Sequence, residues 1–463
     1  MILALIAFFW AAGASLLLTR AMVLHPFGWG LDTPDLARKQ HAGPVPRTGG
    51  LPLFLVFVVI WIGLGLTGRS PLNGEWWGVL GGGVIFFAVG FMDDLHPLGA
   101  KVKLCGQILG GFTAWMLGLR ITAITYPVGN FSLDVTGASI LLTVFWLIAV
   151  PNLINLIDGA DGLAGGLGLL LLATIAYVGW TVSQTDVTIL ALGVGGALLG
   201  FLVFNFPPAR IFLGDGGAYL LGFLIAALSL KSEGKGSVAG VLFVVVIALG
   251  IPIADTLLAL LRRAVRGFPL FKADADHIHH RLRHLGVSDR QLVLGIYAVS
   301  VVLAMLGLSV LWTQGRTLPI VLGLLFFLLV IGIRQLGYVW RWRDLTLQLM
   351  RAFERRNDVR YALLQAELLE MELDRIDDAE AFAARMIDAM ERSGLEITGL
   401  RQDGQGDSIV CVDKVCFTVR FPSKENQERA HWQRLTECFG DVGARAARKW
   451  KADFSAALAA LVS

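Results

Sequence analysis

Residues 139–180 read SILLTVFWLIAVPNLINLIDGADGLAGGLGLLLLATIAYVGW. Two apolar runs flank a short polar insert in which Asn152, Asn155, Asp158 and Asp161 recur every third residue. Apolar runs approaching 20 residues cross a bilayer as helices, and ionisable groups beside them mark functional surfaces. Asp158-Gly159 and Asp161-Gly162 favour a turn after the asparagines. The stretch therefore predicts a membrane helix, a polar turn and a second membrane helix.

The same pattern extends outward from this stretch. Of 463 residues, 55% are hydrophobic and 16% charged, against about 25% charged in a typical soluble domain. Mean hydropathy is +0.66. These values predict an all-α polytopic membrane protein. Candidate spans lie near 2–19, 51–67, 78–92, 102–119, 138–151, 163–182, 187–204, 214–230, 238–260, 292–311 and 318–333, eleven in all. The first lacks a basic leader segment and is followed by Arg20, so it reads as an uncleaved span.

Basic residues set the orientation. With the N-terminus outside, the inner loops hold Arg20, Arg38, Lys39, Arg47, Lys101, Lys103, Arg210, Arg262, Arg263, Arg266, Lys272, Arg281, Arg283 and Arg290. The outer loops hold Arg69, Arg120, Lys231, Lys235 and Arg316. Fourteen against five favours N-out, and an odd span count then leaves the C-terminus inside. Every acidic or histidine-rich cluster falls on the inner face. A net charge of +3 gives no basis for a nucleic-acid partner. Cys105, Cys411, Cys416 and Cys438 lack zinc-ligand spacing. In a cytosolic tail the last three are expected to be free thiols.

Five further polar groups carry candidate chemistry. Asp93 and Asp94 follow the third span; adjacent carboxylates repel unless a cation or proton lies between them. They suit a divalent ion or a general base, with Lys101 and Lys103 as phosphate partners, or else form a solvated helix end. Asp215, between glycines at the entry of the eighth span, suits Mg²⁺ or a helix cap. His277, His279, His280 and Arg281 lie in the longest inner loop and suit phosphate or sugar contact. Zinc there lacks a suitably spaced fourth ligand. Asp255 lies within the ninth span, where it is a functional candidate or a partner for Arg262 or Arg263. Arg38 and His41 in the first inner loop suit a substrate role or, for the arginine, orientation alone.

Together these motifs resemble the polyprenyl-phosphate N-acetylhexosamine-1-phosphate transferase family. The resemblance rests on Asp93-Asp94, the Asn-x-x-Asn-x-x-Asp-Gly-x-Asp-Gly-Leu-Ala stretch at 152–164 and Phe-x-Gly-Asp at 212–215. Pro-x-x-Asp-Thr at 252–256, His-x-His-His-Arg at 277–281 and Arg38-Lys39-x-His41 complete it. It covers about residues 1–335. His-Ile-His-His-Arg-Leu followed by Gly286 is similar to the branch using UDP-N-acetylglucosamine or a related UDP-N-acetylhexosamine, rather than the muramoyl-pentapeptide branch.

The resemblance implies transfer of a sugar-1-phosphate from a UDP-sugar to a polyprenyl phosphate, releasing UMP and starting a cell-envelope polysaccharide. It implies a bacterial plasma-membrane enzyme with a cytoplasm-facing site that needs Mg²⁺ or Mn²⁺. Asp93, Asp94, Asp158 and Asp161 are then the expected catalytic residues, and Asp215 with Asp94 the expected metal ligands. Lys103, Asn152, Asn155, Asp255, His277, His279, His280, Arg281, Arg38 and His41 are the expected substrate contacts. Position 97 is Pro where the family often has a third acid, and Gly216 stands where a Ser often follows Gly-Asp. A transporter or flippase for an anionic or lipid-linked solute is the competing class, but no internal repeat supports it.

The tail is longer than the family core requires. Residues 344–374 carry apolar positions at helical spacing among many charges and predict an amphipathic helix suited to self-association. A second helix is expected at 377–393, then a hairpin around Asp413-Lys414 and helices at 423–438 and 443–462. Residues 344–463 thus read as a small α+β cytosolic domain following a transferase domain at 1–335.

Overall fold

A computed structural model describes residues 1–26, 31–32, 45–67, 74–125, 132–231, 287–335, 356–393, 395–401, 409–412 and 415–420, with isolated positions in 245–257 and 439–460. The chain divides into two compact units: Met1–Leu257 with Ala275–Leu336, and Leu258–Asp274 with Gly337–Ser463.

In the first unit the described elements run α1 (Ile2–Leu24), β1 (Leu31–Asp32), β2 (Val45–Pro46), α2 (Gly50–Leu66), α3 (Gly74–Leu95) and α4 (Ala100–Met116). They continue with β3 (Ala123–Thr125), β4 (Ser132–Asp134), α5 (Ser139–Ile157), α6 (Leu163–Thr181), α7 (Thr185–Asn205), α8 (Gly214–Lys231), α9 (Asp289–Trp312) and α10 (Leu318–Gln335). The strands form two short antiparallel pairs, β1 with β2 and β3 with β4.

Among the described residues, α1, α3, α5 with the turn before it, α6, α7 and α9 are long and apolar enough to cross a membrane. α2 and the 318–328 part of α10 are apolar but shorter. Helices stand at the expected places of α4 and α8, but they carry Lys101, Lys103, Asp215 and Lys231 and are not among those six. The expected span at 238–260 lies mostly outside the described residues. Six qualifying helices, not eleven, are therefore what the described chain establishes.

Two of the element boundaries that differ from expectation bear on the polar clusters. α3 extends to Leu95, so Asp93 and Asp94 occupy its last turn rather than the residues after it. α5 runs six residues past the predicted end, through Pro151 to Ile157. Asparagine disfavours helix interiors when its side chain competes for the local backbone. Here Asn152 and Asn155 find side-chain partners on neighbouring helices, and the helix persists.

α8 is the centre of the unit. Every residue from Gly216 to Leu230 is buried, as expected for a helix that is apolar all round. α3, α5, α2 and α6 pack around it. Gly222 lies against Pro151, where a methyl group would overlap the proline backbone. α1 lies along α7 in the same small-residue manner. Gly196 and Gly200 face the backbone of Phe8 and Ala12, so any side chain there would separate the helices. The opposite side of α1 exposes Ile6, Phe9 and Leu17, a surface suited to lipid.

At the end of α8 away from Asp215, Lys231 Nζ lies 2.6 Å from Glu75 Oε2 at the start of α3. Trp76 Nε1 donates to Asp186 Oδ2 at 3.0 Å, and Trp61 Nε1 donates to the Trp76 carbonyl at 3.1 Å. These contacts pin α3, α7, α8 and α2 together at that end.

The second unit contains α11 (Arg356–Leu373), α12 (Ala379–Arg392) and a three-stranded antiparallel sheet. Its strands β5 (Glu396–Arg401), β6 (Ile409–Val412) and β7 (Val415–Arg420) are ordered β5-β7-β6. Cys411 pairs with Cys416 and Val412 with Val415 across the hairpin. β5 was not anticipated from sequence. Val359, Ala362, Ala366 and Leu369 of α11 pack with Phe382, Met386 and Met390 of α12, around Phe439 and Phe454. The helix expected at 423–438 lies outside the described residues.

Candidate active site

Four helices bring one polar group each to a single point. Asp93 comes from the last turn of α3, Lys103 from the first turn of α4, Asn155 from the end of α5 and Asp215 from the start of α8. Lys103 Nζ lies 3.0 Å from Asp93 Oδ2 and 3.1 Å from Asp215 Oδ2. Asn155 Nδ2 donates to Asp215 Oδ1 at 3.0 Å. The Leu98 N–H donates to Asp93 Oδ1 at 2.7 Å, closing the turn between α3 and α4. All three charged side chains keep part of their surface open to solvent.

Adjacent acids leave a helix in directions about 100° apart, so Asp93 and Asp94 have separate surroundings. Asp94 Oδ1 accepts from the Asp215 N–H and Oδ2 from the Gly216 N–H, both at 2.9 Å. Two otherwise orphan donors at the start of α8 are thereby satisfied by a carboxylate from α3, where the helix dipole also favours negative charge. Gly214 makes the approach feasible. Its φ is +76°, and a side chain there would meet both the Arg47 carbonyl and the Asp94 carboxylate.

The Asp-Gly turn packs behind this point. Asp158 ends α5 and Gly162, with φ +75°, precedes α6. Asp161 Oδ2 accepts from the Ala209 N–H at 2.9 Å. Asn205 Oδ1 accepts from the Gly162 N–H at 3.0 Å, while its Nδ2 donates to the Ile211 carbonyl at 2.8 Å. Tyr297 of α9 donates to the Gly162 carbonyl. The segment before α8 is also tied to the segment before α2: the Phe212 N–H donates to Pro46 O at 2.8 Å, and the Gly49 N–H to Phe212 O at 3.0 Å. Burial pushes the Asp158 carboxyl well above the ordinary carboxylate range. The charges of Asp215 and Asp94 act in the same direction, and Arg47 opposes them.

Asp93, Lys103, Asn155 and Asp215 thus meet directly. Asp94 abuts them from behind through the α8 backbone, and Asp158 is coupled to them electrostatically. Asp161 is held by the 206–213 segment. Asn152 does not touch Asp215; it bonds Gln107 instead. Arg38, His41, Asp255, His277, His279, His280 and Arg281 lie outside the described residues.

Sequence reasoning missed two residues. Arg47 acts on Asp94 and Asp158 through its charge, though its only sequence signal is a lone arginine just before Gly49-Gly50. Gln107 is buried four residues after Lys103, inside an apolar run where a carboxamide needs a partner.

The arrangement suits a cation. Two carboxylates from separate helices share one ammonium group, and their oxygens are the donors that Mg²⁺ prefers. That ion is usually held by one or two carboxylates together with substrate phosphates. Among the described residues no group of three or more His, Cys, Asp or Glu side chains forms a complete metal cage.

Comparison with known proteins matches residues 76–233 to the family model described as glycosyl transferase family 4. A probable undecaprenyl-phosphate N-acetylglucosaminyl 1-phosphate transferase of Bacillus subtilis (strain 168) is 34% identical over 293 residues, covering 63% of this chain and 80% of that protein. The decaprenyl-phosphate N-acetylglucosaminephosphotransferase of Mycobacterium tuberculosis (strain ATCC 25618 / H37Rv) is 34% identical over 286 residues, covering 56% and 70%. A phospho-N-acetylmuramoyl-pentapeptide-transferase of Enterococcus hirae is 30% identical over 285 residues, covering 58% and 84%.

Proposed function

We propose that this chain, which belongs to glycosyl transferase family 4, transfers N-acetylglucosamine-1-phosphate from its UDP conjugate to a polyprenyl phosphate. An oxygen of the lipid phosphate attacks the sugar-bearing phosphorus, the bond to the UMP oxygen breaks, and a lipid-diphosphate-sugar forms. The product primes a cell-envelope glycan. The observation that carries this reading is the meeting of Asp93, Lys103, Asn155 and Asp215 from four helices at one point.

The reaction joins two anions, so charge neutralisation and alignment dominate its barrier. Lys103 supplies a fixed positive charge between Asp93 and Asp215 and is placed to shift onto an arriving phosphate. Asp93 keeps the lipid phosphate deprotonated. Asn155 fixes the plane of the Asp215 carboxylate by its bond to Oδ1. Asp158 and Asp161 line the turn where the donor would be positioned. Mg²⁺, with Mn²⁺ as substitute, would be held by Asp215, with Asp93 beside it in place of the expected Asp94, because both Asp94 oxygens are taken up by the Asp215 and Gly216 N–H groups; it would supply electrophilic screening for the phosphates. His277, His279, His280 and Arg281 would contact donor phosphates or the sugar.

We place the N-terminus outside and this cluster on the cytoplasmic face of the plasma membrane, on the strength of the fourteen-to-five bias of basic residues. The polyprenyl chain would lie between helices in the bilayer. The relatives are named as transferases, and no comparison favours transport. The purified protein should release UMP from UDP-N-acetylglucosamine only when undecaprenyl phosphate and a divalent ion are both present. Absence of UMP release across a panel of UDP-N-acetylhexosamines would overturn this function.

A further inference from the structure

Asp215 receives its two side-chain donors from two different helices, Lys103 of α4 on Oδ2 and Asn155 of α5 on Oδ1. One turn farther into the bundle, the same two helices are tied by a reciprocal amide pair. Asn152 Nδ2 donates to Gln107 Oε1 at 2.8 Å, and Gln107 Nε2 donates to Asn152 Oδ1 at 3.4 Å. Gln107 is 2% exposed, and Asn152 Nδ2 also reaches the Ile148 carbonyl at 2.8 Å. Gln107 follows Lys103 by four residues and Asn152 precedes Asn155 by three, so each amide lies on the same helix face as its active-site neighbour.

We propose that Gln107 and Asn152 are positioning residues that fix the register of α4 against α5, and so hold Lys103 and Asn155 on Asp215. The surroundings leave that task to them. On the side of the pair away from the site, the next α4–α5 packing is Gly111 against Val144 and Leu147, which is smooth and apolar. The other polar tie described between these helices, Trp115 Nε1 to Ser139 Oγ at 3.2 Å, lies at the far end of α4. A helix that slips by one residue moves about 1.5 Å along its axis and turns about 100°. Either motion takes Lys103 off Oδ2. Asn152 thereby acquires a role through Gln107 rather than through the donor sugar.

The inference rests on the proposed function and has its own test. Gln107→Asn shortens the bridge by one methylene, and Asn152→Gln lengthens it by one. The double variant Gln107→Asn/Asn152→Gln restores the summed length. Each protein is purified whole, and kcat, KM for UDP-N-acetylglucosamine and the melting-point gain on adding Mg²⁺ alone are recorded.

Gln107→Asn should lose at least ~10-fold in kcat, the scale expected for sub-ångström to ångström misplacement. Its KM should stay within about 2-fold, and its Mg²⁺-induced melting gain should shrink. The double variant should regain most of both. If Gln107→Asn fails to fold, Gln107→Met, which keeps the volume without the amide, takes its place and should show the same loss of kcat and of Mg²⁺ gain. Unchanged kcat and Mg²⁺ gain in the folded single variants would overturn the proposal. So would a folded double variant no better than Asn152→Gln, since that would make Asn152 a direct ligand contact. A wild type without turnover would count against the function itself, while the Mg²⁺ melting readout would still decide the amide pair.

Discussion

Replacing Asp94 with asparagine separates an anchoring carboxylate from a reacting one. Asp94 accepts two backbone N–H groups at the first turn of α8. Hydrogen bonds to a charged acceptor contribute roughly 1.5–3 kcal/mol each, and the helix dipole adds about 0.3–1 kcal/mol. Asparagine keeps one acceptor oxygen and turns its NH₂ toward the second N–H, so one bond and the dipole contribution are lost. Relief of repulsion with Asp215 offsets about 1 kcal/mol of this. The net cost is about 1–3 kcal/mol, expressed as a lower melting temperature in detergent followed by tryptophan fluorescence. Asp93→Asn is the matched control. Its oxygens bond Leu98 and Lys103 at a partly open site, so it should lose turnover with a melting shift less than half as large. An Asp94→Asn protein that melts with the wild type yet lacks turnover would refute the anchoring role and make Asp94 a reagent.

Other consequences follow from the same contacts. Gly214→Ala should destabilise by more than about 2 kcal/mol, combining a left-handed conformation with overlap on Arg47 and Asp94; a wild-type melting curve would contradict it. Gly200→Leu should separate α1 from α7, read as lost disulfide crosslinking between cysteines placed on the two helices. Asp158→Asn should raise stability at neutral pH. The folded protein holds a proton on Asp158 more tightly than the unfolded chain does, so wild-type stability declines as pH rises from about 4 toward the raised folded value. The advantage of the variant should therefore vanish below about pH 4, where both states of the wild type are protonated. An advantage independent of pH would contradict that reading.

Much of the helical frame was legible because bilayer-length apolar runs alternate with short polar breaks. The predicted starts of α2, α6, α7 and α8 lie within two residues of those observed. The reach of α5 to Ile157 was not legible, since it depends on partners that Gln107 and Asp215 supply from other helices. Nor was the central place of α8, because an all-apolar helix reads alike whether it faces lipid or protein. The candidate acids stood out by scarcity, yet sequence could not separate Asp93 from Asp94. Their difference arises from a turn of one residue on α3 and from the bare backbone at Gly214. Arg47 and Gln107 were passed over because a juxtamembrane arginine and one carboxamide in a span carry no pattern by themselves.

Asp215 stands at the meeting point of α3, α4, α5 and α8, and the proposed chemistry depends on it. The most direct measurement is UMP release by folded Asp215→Asn protein supplied with UDP-N-acetylglucosamine, undecaprenyl phosphate and Mg²⁺. Loss of at least ~100-fold relative to wild type, with the helical content retained, is the predicted result. Turnover close to wild type would contradict the assignment of this cluster as the reaction centre.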